Sequence, residues 1–121
     1  MTQLTNLDLE DNQLISLPTE IGNLSSLEVL FLNNNQLTSL PLEIGDLTNL
    51  TSLNFAYNQI ESLPAEIGNL TNLIYLSAES NQIWVSLPNS IGNLSTLQEL
   101  YLGWNQIPNL PESMSNLTSL M

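Results

Sequence analysis

Leu27-Glu28-Val29-Leu30-Phe31-Leu32-Asn33-Asn34-Asn35-Gln36-Leu37 decides the fold of this chain, because its apolar frame recurs along the whole sequence. The frame is Leu-x-x-Leu-x-Leu-x-x-Asn. It recurs as Leu4, Leu7, Leu9 before Asn12, and as Leu50, Leu53, Phe55 before Asn58. It recurs again as Leu73, Leu76, Ala78 before Asn81, and as Leu97, Leu100, Leu102 before Asn105. The five Asn residues stand 23, 23, 23 and 24 positions apart, and each is followed by Gln. Alternation such as Leu30-x-Leu32 suits a short strand with one buried face. A strand of that kind cannot stand alone, so neighbouring turns must stack their strands side by side into one parallel sheet.

The rest of each period completes a turn. After the Asn comes Leu or Ile, then Leu-Pro, then in four of the turns Ile-Gly-x-Leu, as in Leu14, Leu17-Pro18, Ile21-Gly22 and Leu24. Pro18, Pro41, Pro64, Pro88 and Pro111 favour extended geometry on the return side, with room after them for one turn of tight helix at most. Gly22, Gly45, Gly68 and Gly92 are expected at turns with positive φ. The Asn residues are expected to form an internal ladder, their amides satisfying backbone groups that stacked turns leave without partners. Phe55 and Ala78, oversized and undersized at the same repeat position in successive turns, are expected to trade volume.

This pattern resembles the leucine-rich repeat family, in its 23-residue form ending Leu-Pro-x-x-Ile-Gly-x-Leu. The resemblance covers Leu4 to Met121. It implies an α/β-type solenoid, a horseshoe with short parallel strands on the concave face and extended or 3-10 segments on the convex face. It also implies a binding scaffold for a protein or peptide, a function that the family's shape permits without naming the partner. Residues 1–121 are expected to form a single domain of five full repeats, about 4–26, 27–49, 50–72, 73–96 and 97–119, plus the start of a sixth. No capping segment is visible at either end, which predicts a piece of a longer array or end-to-end self-association through the terminal repeats.

Composition narrows the chemistry. The chain has 121 residues, 12 of them Asp or Glu, with no Lys, Arg, His or Cys and a formal charge of −12. No side-chain salt bridge can form, and every carboxylate sees only like charge. Nucleic acid and anionic membranes, which call for Lys and Arg, are therefore not expected as partners. A basic protein or peptide, a divalent cation or a neutral ligand suits the chain better. Without His, Cys, Lys or Arg it lacks the usual neutral-pH general base, the Schiff-base amine, the triad and the phosphate clamp, so no enzyme and no cofactor are expected. Calcium at Asp8, Glu10 and Asp11 would find too few ligands, and no metal site is expected.

In the implied horseshoe, the strand residues between the leucines line the concave face. The position before the second Leu reads Asn6, Val29, Ser52, Tyr75, Glu99, and the one after it Asp8, Phe31, Asn54, Ser77, Tyr101. The two positions before the ladder Asn read Glu10, Asn33, Ala56, Glu79, Gly103 and Asp11, Asn34, Tyr57, Ser80, Trp104. The expected contact residues are Asp8, Glu10 and Asp11 in an acidic first turn, with Phe31, Asn54, Tyr57, Tyr75, Ser77, Tyr101 and Trp104 beyond it. Aromatic side chains dominate interface energetics, so they carry most of this expectation. The turn that is one residue longer than the others is expected to bulge and push Trp84 or Val85 outward, either as an edge contact through Trp84 or as a bulge partly covered by the neighbouring loops. An alternative is an ice- or carbohydrate-binding surface on the ladder Ser25, Thr48, Thr71, Ser95, Thr118 and the rank beside it.

Overall fold

A computed structural model describes residues 3–121. Five three-residue strands, Asn6–Asp8 (β1), Val29–Phe31 (β2), Ser52–Asn54 (β3), Tyr75–Ser77 (β4) and Glu99–Tyr101 (β5), form one parallel sheet in sequence order. The register is uniform, with Leu7, Leu30, Leu53, Leu76 and Leu100 side by side. That row points inward, and the residues on either side of it point outward, as the period of two requires.

The return side carries five 3-10 turns: Thr19–Asn23 (η1), Leu42–Asp46 (η2), Ala65–Asn69 (η3), Asn89–Asn93 (η4) and Glu112–Asn116 (η5). Each begins after a proline held at φ between −64° and −70° with extended ψ. The proline carbonyl then accepts from the residue three positions on, for example Ile44 N–H to Pro41 O at 3.1 Å. Pro has no N–H of its own, so this position costs the turn nothing.

The inward leucines and isoleucines, from Ile21 and Leu24 through Leu97 and Leu117, make a single core. Phe55 and Ala78 are both fully buried at the same place in successive turns. At the two ends the packing thins. Leu4, Leu7 and Leu9 in the first turn, and Leu100, Leu102 and Ile107 in the fifth, are only partly buried.

The ladder Asn residues hold consecutive turns together. Asn58 Oδ1 accepts the Leu37 N–H of the preceding turn at 2.9 Å, while its Nδ2 donates to the carbonyls of Leu32, Phe55 and Ala56. Asn35, Asn81 and Asn105 repeat the arrangement. Asn12, in the first turn, donates to Leu9 and Glu10 of its own turn. Buried polar groups are retained where they are satisfied, and this amide satisfies backbone on both sides of a turn boundary.

The glycine expectation is overturned. No glycine has a positive φ. Gly45 and Gly68 sit in 3-10 turns pressed against the next turn, where a Cβ would come within 2.7 Å of the Glu66 carbonyl oxygen and 2.5 Å of the Ser90 carbonyl oxygen. Glycine is needed there for space and not for backbone freedom. The left-handed conformation belongs instead to the residue before each ladder Asn: Asp11, Asn34, Tyr57, Ser80 and Trp104, all with φ between 54° and 58°. Among the described residues no helix is long and apolar enough to cross a membrane.

Candidate concave-face site

The outward face of the sheet divides as its columns do. In the first turn Asp8, Glu10 and Asp11 are exposed. Each is also tied to local structure. Asp8 Oδ1 accepts the Glu10 N–H at 3.0 Å, Glu10 Oε2 accepts from Asn33 Nδ2 of the next turn at 3.2 Å, and Asp11 takes the left-handed backbone. Among the described residues no group of three or more carboxylates is arranged to hold a metal ion. Asn54 repeats the Asp8 geometry, its Oδ1 accepting the Ala56 N–H at 3.0 Å. These short side chains cap the turn leaving their own strand.

The aromatics concentrate at the other end. Tyr75 on β4 and Tyr101 on β5 lie diagonally across the strand pair, ring centroids 5.6 Å apart and planes tilted by 47°. That distance and tilt fall within the favourable range for aromatic pairs. Ser77, the register partner of Tyr101, is only 3% exposed and presents almost no surface, so the contact expected of it has nothing to reach. Phe31 is half-buried; Tyr57 and Trp104 stand out at 54% and 82% exposed. Trp84 lies off this face, in the loop leaving β4. Ile83 and Leu87 anchor that loop in the core, and the extra residue leaves Trp84 59% exposed with Val85 half-buried. It is therefore an edge residue.

Three residues outside the expected set complete the aromatic end. Glu99 is in register with Tyr75. Glu79 occupies the position in β4's turn that Gly103 occupies in β5's, and apart from its chain neighbours nothing lies within 4 Å of where a Gly103 Cβ would stand. The repeat columns contain this signal, since they place Glu79 beside Gly103 and Glu99 beside Tyr75.

A shallow depression of about 650 Å³ is lined by Leu102, Trp104, Asn105, Ile107 and Leu110 among others. Its floor is the side of the fifth turn whose counterparts Leu32, Asn35 and Leu37 are buried in the second turn by the turn that follows. In the inner turns that side belongs to the core, and the sheet face is the better candidate.

On the edge leading into the strands, Ser25, Thr48, Thr71, Ser95 and Thr118 are all exposed. Three members of the rank beside them are occupied with backbone. Asn49 Nδ2 donates to Ser25 O and Asn72 Nδ2 to Thr48 O, both at 2.8 Å, and Thr96 Oγ1 donates to Thr71 O at 2.9 Å.

A profile described as leucine-rich repeat region matches residues 1–84, and a second, leucine rich repeat, matches residues 96–117. The chain belongs to the leucine-rich repeat family. Among solved structures, this leucine-rich repeat chain is similar to a leucine-rich repeat protein of Leptospira interrogans, with 42% identity and a TM-score of 0.96 over 99% of this chain and 30% of that one. It is similar to the ectodomain of the membrane receptor kinase GASSHO1/SCHENGEN3 of Arabidopsis thaliana, with 36% identity and a TM-score of 0.89 over 97% and 14%. It is also similar to internalin C2 of Listeria monocytogenes, with 34% identity and a TM-score of 0.85 over 98% and 50%. The chain thus spans half or less of the length of each. No curated protein sequence matches it.

Proposed function

We propose that this chain is a non-catalytic scaffold that binds a protein or peptide on its concave face, through the aromatic end of the sheet and with the acidic first turn at its far side. The observation that carries this is the backbone under the exposed aromatics. Tyr57 and Trp104 hold φ of 56°, a conformation that costs a bulky side chain of order 1 kcal/mol or more and that Asn or Asp adopts readily. Asp11 and Asn34 fill the same column in the first two turns at little cost. Placing a large, solvent-facing ring on strained backbone gains the fold nothing, which is the pattern of a side chain kept for contact with something else. The similar Arabidopsis ectodomain was solved with CASPARIAN STRIP INTEGRITY FACTOR 2 bound, which supports the same kind of use here.

The test is affinity capture with the wild type and with a Tyr101→Ala/Trp104→Ala variant. The variant is expected to lose the wild type's partner while still unfolding cooperatively, at a melting temperature lowered only by the lost Tyr75–Tyr101 contact. Recovery of the same partner by both would place the binding surface elsewhere. The ladder of Ser25, Thr48 and Thr71 is the competing surface for ice or carbohydrate. The bonds from Asn49, Asn72 and Thr96 to backbone favour a structural role for the rank beside it. No thermal hysteresis is expected; hysteresis abolished by a bulky residue at Thr71 would move the site to that edge.

A further inference from the structure

We propose that the fourth turn of the sheet face holds one main-chain carbonyl of the bound polypeptide between the Ser77 hydroxyl and the Glu79 N–H. This rests on the concave-face reading and adds to it the chemistry of one contact. The first and third turns close the bend after their strands with a side-chain oxygen. Asp8 Oδ1 accepts the Glu10 N–H and Asn54 Oδ1 the Ala56 N–H, each at 3.0 Å. The fourth turn follows the same course, with Ser80 at φ 54° where the third has Tyr57 at 56°. Ser77 stands in register with Asn54, and Glu79 follows it by two residues. Serine is one bond shorter than asparagine and closes such bends more weakly. Among the described residues neither the Glu79 N–H nor the Ser77 hydroxyl has a hydrogen-bond partner.

Of the outward residues of the five strands only Ser77 is buried, at 3% exposed. Its large neighbours on that face are Tyr75, two residues earlier, and Tyr101, in register, with ring centroids 5.6 Å apart. A hydroxyl shut in without a partner costs free energy that an acceptor restores. An oxygen placed as Asn54 Oδ1 is placed in the third turn accepts the Glu79 N–H. A carbonyl oxygen has a second lone pair for the Ser77 hydroxyl. Glu79 and Glu99 carry like charge there and the chain stands at −12, so a carboxylate is repelled where a neutral carbonyl is not. Ser77 gives no surface for a first contact. Tyr101 is the cover that turns aside, drawn by the partner's contact with its exposed ring.

The experiment is an amide NMR titration of the whole chain with N-acetylglycinamide, a minimal neutral main chain, at about 150 mM NaCl. Without probe, the Glu79 N–H is expected to exchange with solvent faster than the Ala56 N–H. The probe is expected to move the Glu79 amide proton downfield to saturation, and sodium acetate at matched ionic strength to leave it in place. Ser77→Asn supplies the oxygen from the chain itself. It is expected to slow Glu79 exchange to the rate of Ala56, to raise the melting temperature and to abolish the probe's shift. Ser77→Ala is expected to weaken the probe by about threefold or more, and Tyr101→Ala, which uncovers Ser77, to tighten it. No shift at Glu79 in the wild type, an equal shift with acetate, or a shift that survives Ser77→Asn or is undiminished in Ser77→Ala would each overturn the carbonyl site. An affinity no higher in Tyr101→Ala would overturn the role of Tyr101 as its cover. If the carbonyl site fails while Tyr101→Ala/Trp104→Ala still abolishes capture of the partner, the concave-face reading stands without it. If the double variant keeps the partner, that reading fails as well.

Discussion

At the scale of single residues, the left-handed column is where local preference and observed backbone part company. Asp11 and Asn34 suit φ near 57°, and Tyr57 and Trp104 do not. Replacing Trp104 with Asn is therefore expected to stabilise the chain by about 1 kcal/mol, read as a higher urea midpoint at unchanged slope, while weakening ligand binding. Little packing is lost, since Trp104 is largely in solvent. A lower midpoint would mean that the indole supports the fold and would remove the strain argument for its function. The ladder role of Asn35, Asn58 and Asn81 is legible in the sequence, because a polar residue recurring in an otherwise apolar frame must be satisfying something inside. The conformation of Tyr57 and Trp104 is not legible from those residues themselves, whose type argues against it. It emerges only from Asp11 and Asn34, their cheaper equivalents in the same column.

At the scale of the turn, the strands and the proline-led 3-10 segments lie where the spacing puts them, because each period has one inward row and one place where an N–H is dispensable. The glycines depart from the expected positive φ for a physical reason. Glycine serves both positive φ and close approach, and sequence alone cannot separate the two uses. The structure separates them by neighbours, which makes a paired prediction. Gly68→Ala pushes a Cβ against the backbone of Ser90 in η4 and is expected to cost about 1–3 kcal/mol, as overpacking does. Gly103→Ala meets open space and is expected to change stability by no more than about 0.5 kcal/mol. Thermal or urea unfolding of the two variants side by side checks this. Equal losses would show that intrinsic propensity, and not the contact between turns, sets the need for glycine.

At the scale of the whole molecule, stacked turns align like charges as faithfully as they align leucines. Glu20, Glu43 and Glu66 occupy the same position in η1, η2 and η3, each turn packed against the next, with no cation in the chain to separate them. In a solenoid every turn is stabilised by its neighbours, so repulsion repeated at each boundary weakens the whole array and not one site. Salt should relieve it, since raising ionic strength from about 0.01 M to about 0.15 M shortens the screening length from about 30 Å to about 8 Å. The melting temperature at pH 8 is therefore expected to rise with NaCl over that range, below the concentrations at which salts strengthen apolar burial generally. A Glu20→Gln/Glu43→Gln/Glu66→Gln variant is expected to melt higher than wild type in low salt and to lose much of the salt response, because the stacked column is gone while nine carboxylates remain of 12. A wild-type melting temperature indifferent to salt would mean that solvent already screens the column. A salt response that survives the triple substitution intact would assign the repulsion to the overall charge and not to the stacking.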